Sequence, residues 1–229
     1  MSSASKVSAS GKARATYRGT GKFVEADEDN TLGRGPAPVR RRPHTDGMSI
    51  GVILGFPAAI AEELQRWRAS FGDPMAGVIP AHITLVTTTP TKDWEATRTH
   101  VREVARKQQP FTVTIAGTGS FRPISPVVFL NVEEGFDACV NLHEQLQTGP
   151  LERDLPFAFH PHVTIAHDVA PESLDEAETV LKDYRATFPV ASMGLYEHDI
   201  NGIWQLREEL DFGTDTEDPR GPAGAAERS

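Results

Sequence analysis

The sequence predicts an α+β protein built as two similar lobes, each a small antiparallel sheet with helices on its outer face, set around a central cleft. Three observations lead to that class. Apolar stretches of β type outnumber stretches with helical spacing. The helical stretches follow single strands instead of gathering at one end. One short motif occurs in each half, as His82-Ile83-Thr84-Leu85 and as His162-Val163-Thr164-Ile165.

Taken in order, Ser49 to Phe56 reads as a buried strand that Pro57 stops. Ile60, Leu64, Trp67 and Phe71 recur at helical spacing, so a helix runs over about 58–70 until Gly72-Asp73-Pro74 ends it. The first motif lies on a strand over about 82–88, which Thr87, Thr88 and Thr89 extend and Pro90 stops. Residues 92–108 form a second amphipathic helix, with Trp94, Val101 and Val104 towards the core. Phe111 to Ile115 alternates as a half-buried strand, residues 117–121 read as a turn or the lip of a cleft, and Val127 to Val132 is the next strand. Phe136, Val140, Leu142 and Leu146 mark a helix over about 135–147. The second motif strand spans about 161–167, and a core helix over 172–185 follows with Leu174, Ala177, Leu181 and Tyr184. Two late strands, about 188–196 and 202–211, flank a tight turn at 199–202 whose Asn-Gly pair suits a hairpin.

The ends read differently. Residues 1–47 combine small residues and Pro with an acidic and a basic cluster and show no periodicity, so they are expected to be a disordered extension. Met48 directly precedes the first strand and is a candidate natural start. Residues 213–229 are expected to be a disordered tail. The folded body is therefore 48–212, with its lobes meeting somewhere near 110–125.

Charge narrows the partners. Residues 1–47 hold nine Lys/Arg against five Asp/Glu and residues 213–229 two against four, which puts −11 on the body of a chain whose formal net charge is −9. An acidic body speaks against a broad surface for long nucleic acid, while a small basic pocket can still hold one phosphate. Arg40, Arg41 and Arg42 offer a weak nucleic-acid contact in the extension. No apolar run reaches membrane-spanning length, and the N-terminus lacks the apolar core of a secretory signal. A cytoplasmic monomer with no membrane partner is the expectation. Cys139, the single cysteine, excludes an intrachain disulfide and a cysteine-based metal cluster. The glycines near 117–119 lack the Gly-Lys-Ser/Thr ending of a phosphate loop.

The chemistry lies in the repeated motif. Strand side chains alternate, so His82 shares a face with Thr84 and His162 with Thr164, while the aliphatic residues between them are buried. Displacement at a phosphodiester is in line, with the entering and leaving oxygens on opposite sides of phosphorus. One group must take a proton from the nucleophile and another must protonate the leaving oxygen. Histidine serves both tasks because its pKa near 6.5 leaves both forms accessible. A threonine hydroxyl donates to a non-bridging oxygen as charge develops there. No cofactor or metal is required. The two histidines are expected on neighbouring central strands, facing one phosphate-sized cavity that Thr84 and Thr164 also line.

These motifs resemble those of the two-histidine (2H) phosphoesterases, most closely the 2'-5' RNA ligase-like branch. The resemblance covers roughly residues 48–212 and includes the first strand ending at Phe56, the Pro-His-Val-Thr-Ile form of the second motif, and the closing strand around Gly202-Ile203-Trp204. It implies a bilobal fold with a pseudo-two-fold cleft, and metal-independent opening of a 2',3'-cyclic phosphodiester, on a nucleotide or a short RNA end, to a 2'-phosphate. It makes His82 and His162 the acid and base and gives Thr84 and Thr164 the phosphate. Many RNA-active relatives carry an arginine just after the second motif, where this chain has Ala166-His167-Asp168. Arg122 is the replacement candidate for that cationic contact, and His160 and Phe56 are further candidates for touching substrate.

Two other readings remain. His82, His160 and His162 could ligate zinc in a metal-dependent hydrolase, since a His-x-His pair on a strand points one way. Alternatively, the lobes could be a catalytically silent module that binds a nucleotide, RNA or a protein.

Overall fold

The computed structural model describes residues 49–77, 79–198 and 204–213. The extension with its arginine cluster, nearly all of the C-terminal tail and the turn at 199–202 lie outside them. The elements run β1 (Ser49–Leu54), α1 (Ala58–Ser70), β2 (Ile83–Pro90), α2 (Trp94–Lys107), β3 (Phe111–Ser120), β4 (Val127–Val132), α3 (Phe136–Leu146), β5 (His162–His167), α4 (Pro171–Val180), β6 (Arg185–Val190), β7 (Ser192–His198) and β8 (Trp204–Asp211).

They form two four-stranded sheets, ordered β2-β1-β7-β8 and β5-β4-β3-β6, in which every neighbouring pair is antiparallel. The orders correspond one to one. β1 matches β4 and β2 matches β5, and a helix separates each pair in sequence. The chain enters the second sheet after α2 and returns to the first at Ala191, so the first lobe takes its last two strands from the end of the body. α2 lies on β7 and β8, and α4 on β3, β4 and β5. α1 and α3 instead exchange lobes: α1 touches β5 and α3 touches β2. The two motif strands also touch each other. Each motif strand is thus held by a helix of the opposite lobe.

Local signals explain most boundaries. Asp93 caps α2 by accepting from the Ala96 N–H at 3.0 Å, and Arg106 and Lys107 occupy the last turn, where positive charge suits exposed carbonyls. Pro171 opens α4, where its missing N–H costs nothing. Gly135 precedes α3 at φ 84°, and a Cβ there would lie 2.7 Å from the Thr112 carbonyl oxygen, so only glycine fits. One continuous core joins the lobes: Ile50, Val52, Ile83 and Leu85 from the first sheet meet Leu130, Val163 and Ile165 from the second, with Leu64, Leu142 and Leu146 from the helices. The α+β architecture of two lobes with flanking helices matches the expectation.

Four local expectations change. Residues 117–120 are not a turn but the end of β3, where the register with β4 shifts between Ala116 and Thr118. Gly117, at φ 61°, absorbs that bulge, and the extra residue breaks the alternation that would have announced a strand. The helix expected to reach 185 stops at Val180, and Arg185 already pairs with Ala116 of β3. The strand expected over 188–196 is two strands in different sheets, β6 and β7, which part at Ala191. Pro189 is tolerated because β6 is an edge strand. Finally, β2 and β5 are edge strands and not central ones, because they meet between the sheets instead of within one.

Candidate active site

The alternation read from the motif holds in both copies. Ile83, Leu85, Val163 and Ile165 are buried, while His82, Thr84, His162 and Thr164 are half-buried on the opposite parity. The alternation therefore directs the aliphatic pairs into the core and the polar pairs to the opposite face.

The histidines share one more feature, which the sequence did not announce. His82 Nδ1 lies 2.7 Å from the Pro80 carbonyl oxygen, and His162 Nδ1 lies 2.7 Å from the His160 carbonyl oxygen. A carbonyl can only accept, so Nδ1 carries the hydrogen in both rings, and Nε2 is left to exchange a proton. In both copies the partner is the backbone two residues upstream, just before the strand begins. Desolvation pushes the His82 pKa down to about 4, against the opposing effect of its hydrogen bond to Pro80; the positive charge of Arg68 and that of a protonated His162 add to the lowering. His162 is also lowered, again chiefly by desolvation and partly by the nearby His160.

Beside His162 lies a cavity of about 420 Å³, whose polar wall consists of Thr84, Thr87, Ser125, His143, Gln147, Arg153, His160 and His162. It takes Thr84 from one motif and His162 from the other, whereas His82 and Thr164, expected to line the same cavity, are not in its wall. The His162 ring packs against the Phe121–Phe129 pair, with ring centroids at 4.9 and 5.2 Å from the two, which restricts its orientation. His160 was expected at the mouth and does line this cavity. Its ring contacts Phe121, Phe129 and Phe136 edge-on.

Two further candidates lie elsewhere. The Arg122 guanidinium donates to Asp175 at 2.6 Å and Glu178 at 2.5 Å, both on α4, and its Nε donates to Ser120. Its charge is already matched by two carboxylates, and it is not in the wall of the cavity beside His162. Phe56 packs against Phe188 at 4.9 Å and lines a separate groove with Pro189 and Tyr196. Among the described residues no cluster of three or more His, Cys, Asp or Glu could hold a metal, so His82, His160 and His162 do not form the donor set that the zinc reading needs.

Sequence reasoning missed four contributors. His143 of α3 is buried, places Nδ1 2.7 Å from the Leu85 carbonyl oxygen and stacks on Phe159 at 3.9 Å. It ties the helix of one lobe to the motif strand of the other. Its spacing of four from Cys139 was the available signal, hidden because a histidine in an amphipathic helix reads as polar surface. Arg68 of α1 is buried, pairs through Nε with Asp73 at 2.8 Å, and donates from Nη1 to the Ile79 carbonyl at 2.7 Å. It anchors the loop that leads into His82. Gln147 and Arg153 sit in loops and carry no periodic signal.

Fold and site together define a two-lobed phosphoesterase architecture with one histidine motif per lobe. The chain belongs to the 2'-5' RNA ligase superfamily, whose family model matches residues 56–202. A Bacillus mycoides (strain KBAB4) protein provisionally named a phosphoesterase is 27% identical over 172 residues, covering 72% of this chain and 98% of that one. Among solved structures, E. coli LigT complexed with 3'-AMP superposes with a TM-score of 0.55 at 22% identity, covering 73% of this chain and 99% of that chain. LigT complexed with phosphate gives a TM-score of 0.53 at 20% identity over the same shares. These structures share the fold. No helix among the described residues is long and apolar enough to cross a membrane.

Proposed function

We propose that the protein is a metal-independent cyclic phosphodiesterase that opens a 2',3'-cyclic phosphate, on a nucleotide or a short RNA end, to a 2'-phosphate. The observation that carries this reading is the matched pair of histidines, each fixed by a bond from Nδ1 to a carbonyl, His82 directly before β2 and His162 at the first position of β5, two strands that touch each other. The neutral imidazole takes a proton from water through Nε2 as the water oxygen bonds to phosphorus. The protonated imidazole gives its Nε2 proton to the 3' oxygen as the P–O3' bond breaks. Water is consumed, one proton enters at one histidine, one leaves at the other, and the product is a 2'-phosphate with a free 3'-hydroxyl. Thr84 and Thr164 donate to the non-bridging oxygens, where charge accumulates in the transition state.

Family membership supports the reaction class, and the phosphate and nucleotide held by LigT support a nucleotide substrate on the same fold. The acidic body favours small substrates, and a cytoplasmic location suits them. The test is incubation of chelator-treated protein with 2',3'-cyclic mononucleotides, with the product isomer read by phosphorus NMR. Turnover to the 2'-phosphate is expected. A 3'-phosphate product, or dependence on added metal, contradicts the reading.

A further inference from the structure

The cavity beside His162 has features that the reaction at phosphorus does not use. Its walls are largely apolar, from Leu85, Phe121, Ile124, Phe157 and Phe159. Ile124 and Phe157 are 68% and 60% exposed, and among the described residues only Val180 joins them as an exposed large apolar side chain. Two of those three therefore stand at one cavity. Set into these walls are buried polar atoms with no hydrogen-bond partner: Nε2 and Oε1 of Gln147, Nε of Arg153 and Nδ1 of His160. A buried donor or acceptor without a partner is costly, so such a cluster is expected where a ligand completes the bonds.

We propose that Gln147 and Arg153 read the nucleobase of the substrate and select a pyrimidine. The inference rests on the phosphoesterase reading for the position of the phosphate beside His162. An apolar slot with a few polar atoms suits a flat ring with one polar edge, whereas a hydrated anion would lose its water there without recompense. The Gln147 carboxamide offers an unpartnered donor beside an unpartnered acceptor, and Arg153 Nε adds a second donor. Uracil presents acceptor, donor, acceptor along its pairing edge, and meets all three groups. Cytosine presents donor, acceptor, acceptor, and meets them with the carboxamide turned over. Adenine has no third acceptor for Arg153. Guanine turns its 2-amino group, a donor, towards a donor of this set. A site built to hydrogen-bond one edge rejects a ligand that leaves its polar groups unpaired.

The test is calorimetric titration of the full chain with 2'-UMP, 2'-CMP, 2'-AMP and 2'-GMP, beside kcat and KM for the four 2',3'-cyclic mononucleotides. The two pyrimidine products are expected to bind roughly tenfold or more tightly than the purines, as one well-placed bidentate contact does. In Gln147→Leu and Arg153→Leu that preference should collapse, with the loss for cyclic pyrimidines falling on KM more than on kcat. Arg153→Lys keeps the charge without the Nε donor. If it also loses the preference, Arg153 reads the base; if it retains the preference, Arg153 acts by charge and its assignment fails. Equal binding of all four products by the unaltered protein, a purine preference, or a preference that survives both leucine variants overturns the proposal. Absent turnover with a persisting pyrimidine preference overturns the phosphoesterase reading and leaves this one standing.

Discussion

His82 and His162 owe their chemistry to two things of different range. The alternation that places each beside a threonine is local, set by the period of a strand, and was legible in eight residues of sequence. The bond from Nδ1 to the carbonyl two residues upstream depends on how the chain enters each strand, and pattern alone does not report it. Arg122 shows the limit more sharply. Its cationic role looked open because its partners, Asp175 and Glu178, come from a helix more than fifty residues away. The pKa shifts lead to a prediction at this scale. Both histidines are lowered, so in the free enzyme both are neutral near pH 7, and the protonated acid becomes common only at lower pH. The kcat/KM profile, which reports the free enzyme, should therefore peak below pH 6.5. A bound phosphodiester anion favours imidazolium and raises the acid's pKa, so the kcat profile should peak at higher pH. Coincident profiles centred above neutrality would contradict the burial argument. Thr84→Val and Thr164→Val should each lower kcat by roughly 10²-fold, the usual worth of one oxyanion donor, without moving either profile.

At the scale of elements, helices and isolated strands were read well, because amphipathic spacing and proline stops are local signals. The failures share a cause. The bulge at Gly117 and the change of sheet at Ala191 are events of pairing, and pairing partners lie far away in sequence. Arg68 belongs here too, since it joins the end of α1 to the loop before β2. Removing one partner of a buried pair leaves the other charge without compensation, so Arg68→Met should destabilise the fold by about 3–5 kcal/mol in urea unfolding. Arg68→Met with Asp73→Leu should recover much of that loss. Removing a positive neighbour also favours protonated His82, so the double variant should move the acid side of the kcat/KM profile upward in pH. A single variant as stable as the parent would show that the pair does not hold the loop.

At the scale of the molecule, the repeated motif announced two related halves, and the sheets bear that out with matching strand orders. The sequence could not reveal how the halves are stitched together. α1 and α3 each pack on the motif strand of the opposite lobe, and β7 and β8 return to the first sheet from the end of the body. This interlocking explains why the motif strands are edges and yet well held: each is covered by a helix from across the cleft. It also makes the two histidine motifs parts of one interlocked unit, and that the two histidines act together is the central claim. The most direct test is a double-mutant cycle on turnover of a 2',3'-cyclic mononucleotide in chelator, using His82→Ala, His162→Ala and the pair. Each single substitution should cost roughly 10²-fold or more in kcat, and the pair should cost far less than the product of the two, because groups acting together are not additive. Full activity in either single variant, or a double loss equal to the product of the single losses, would contradict the account.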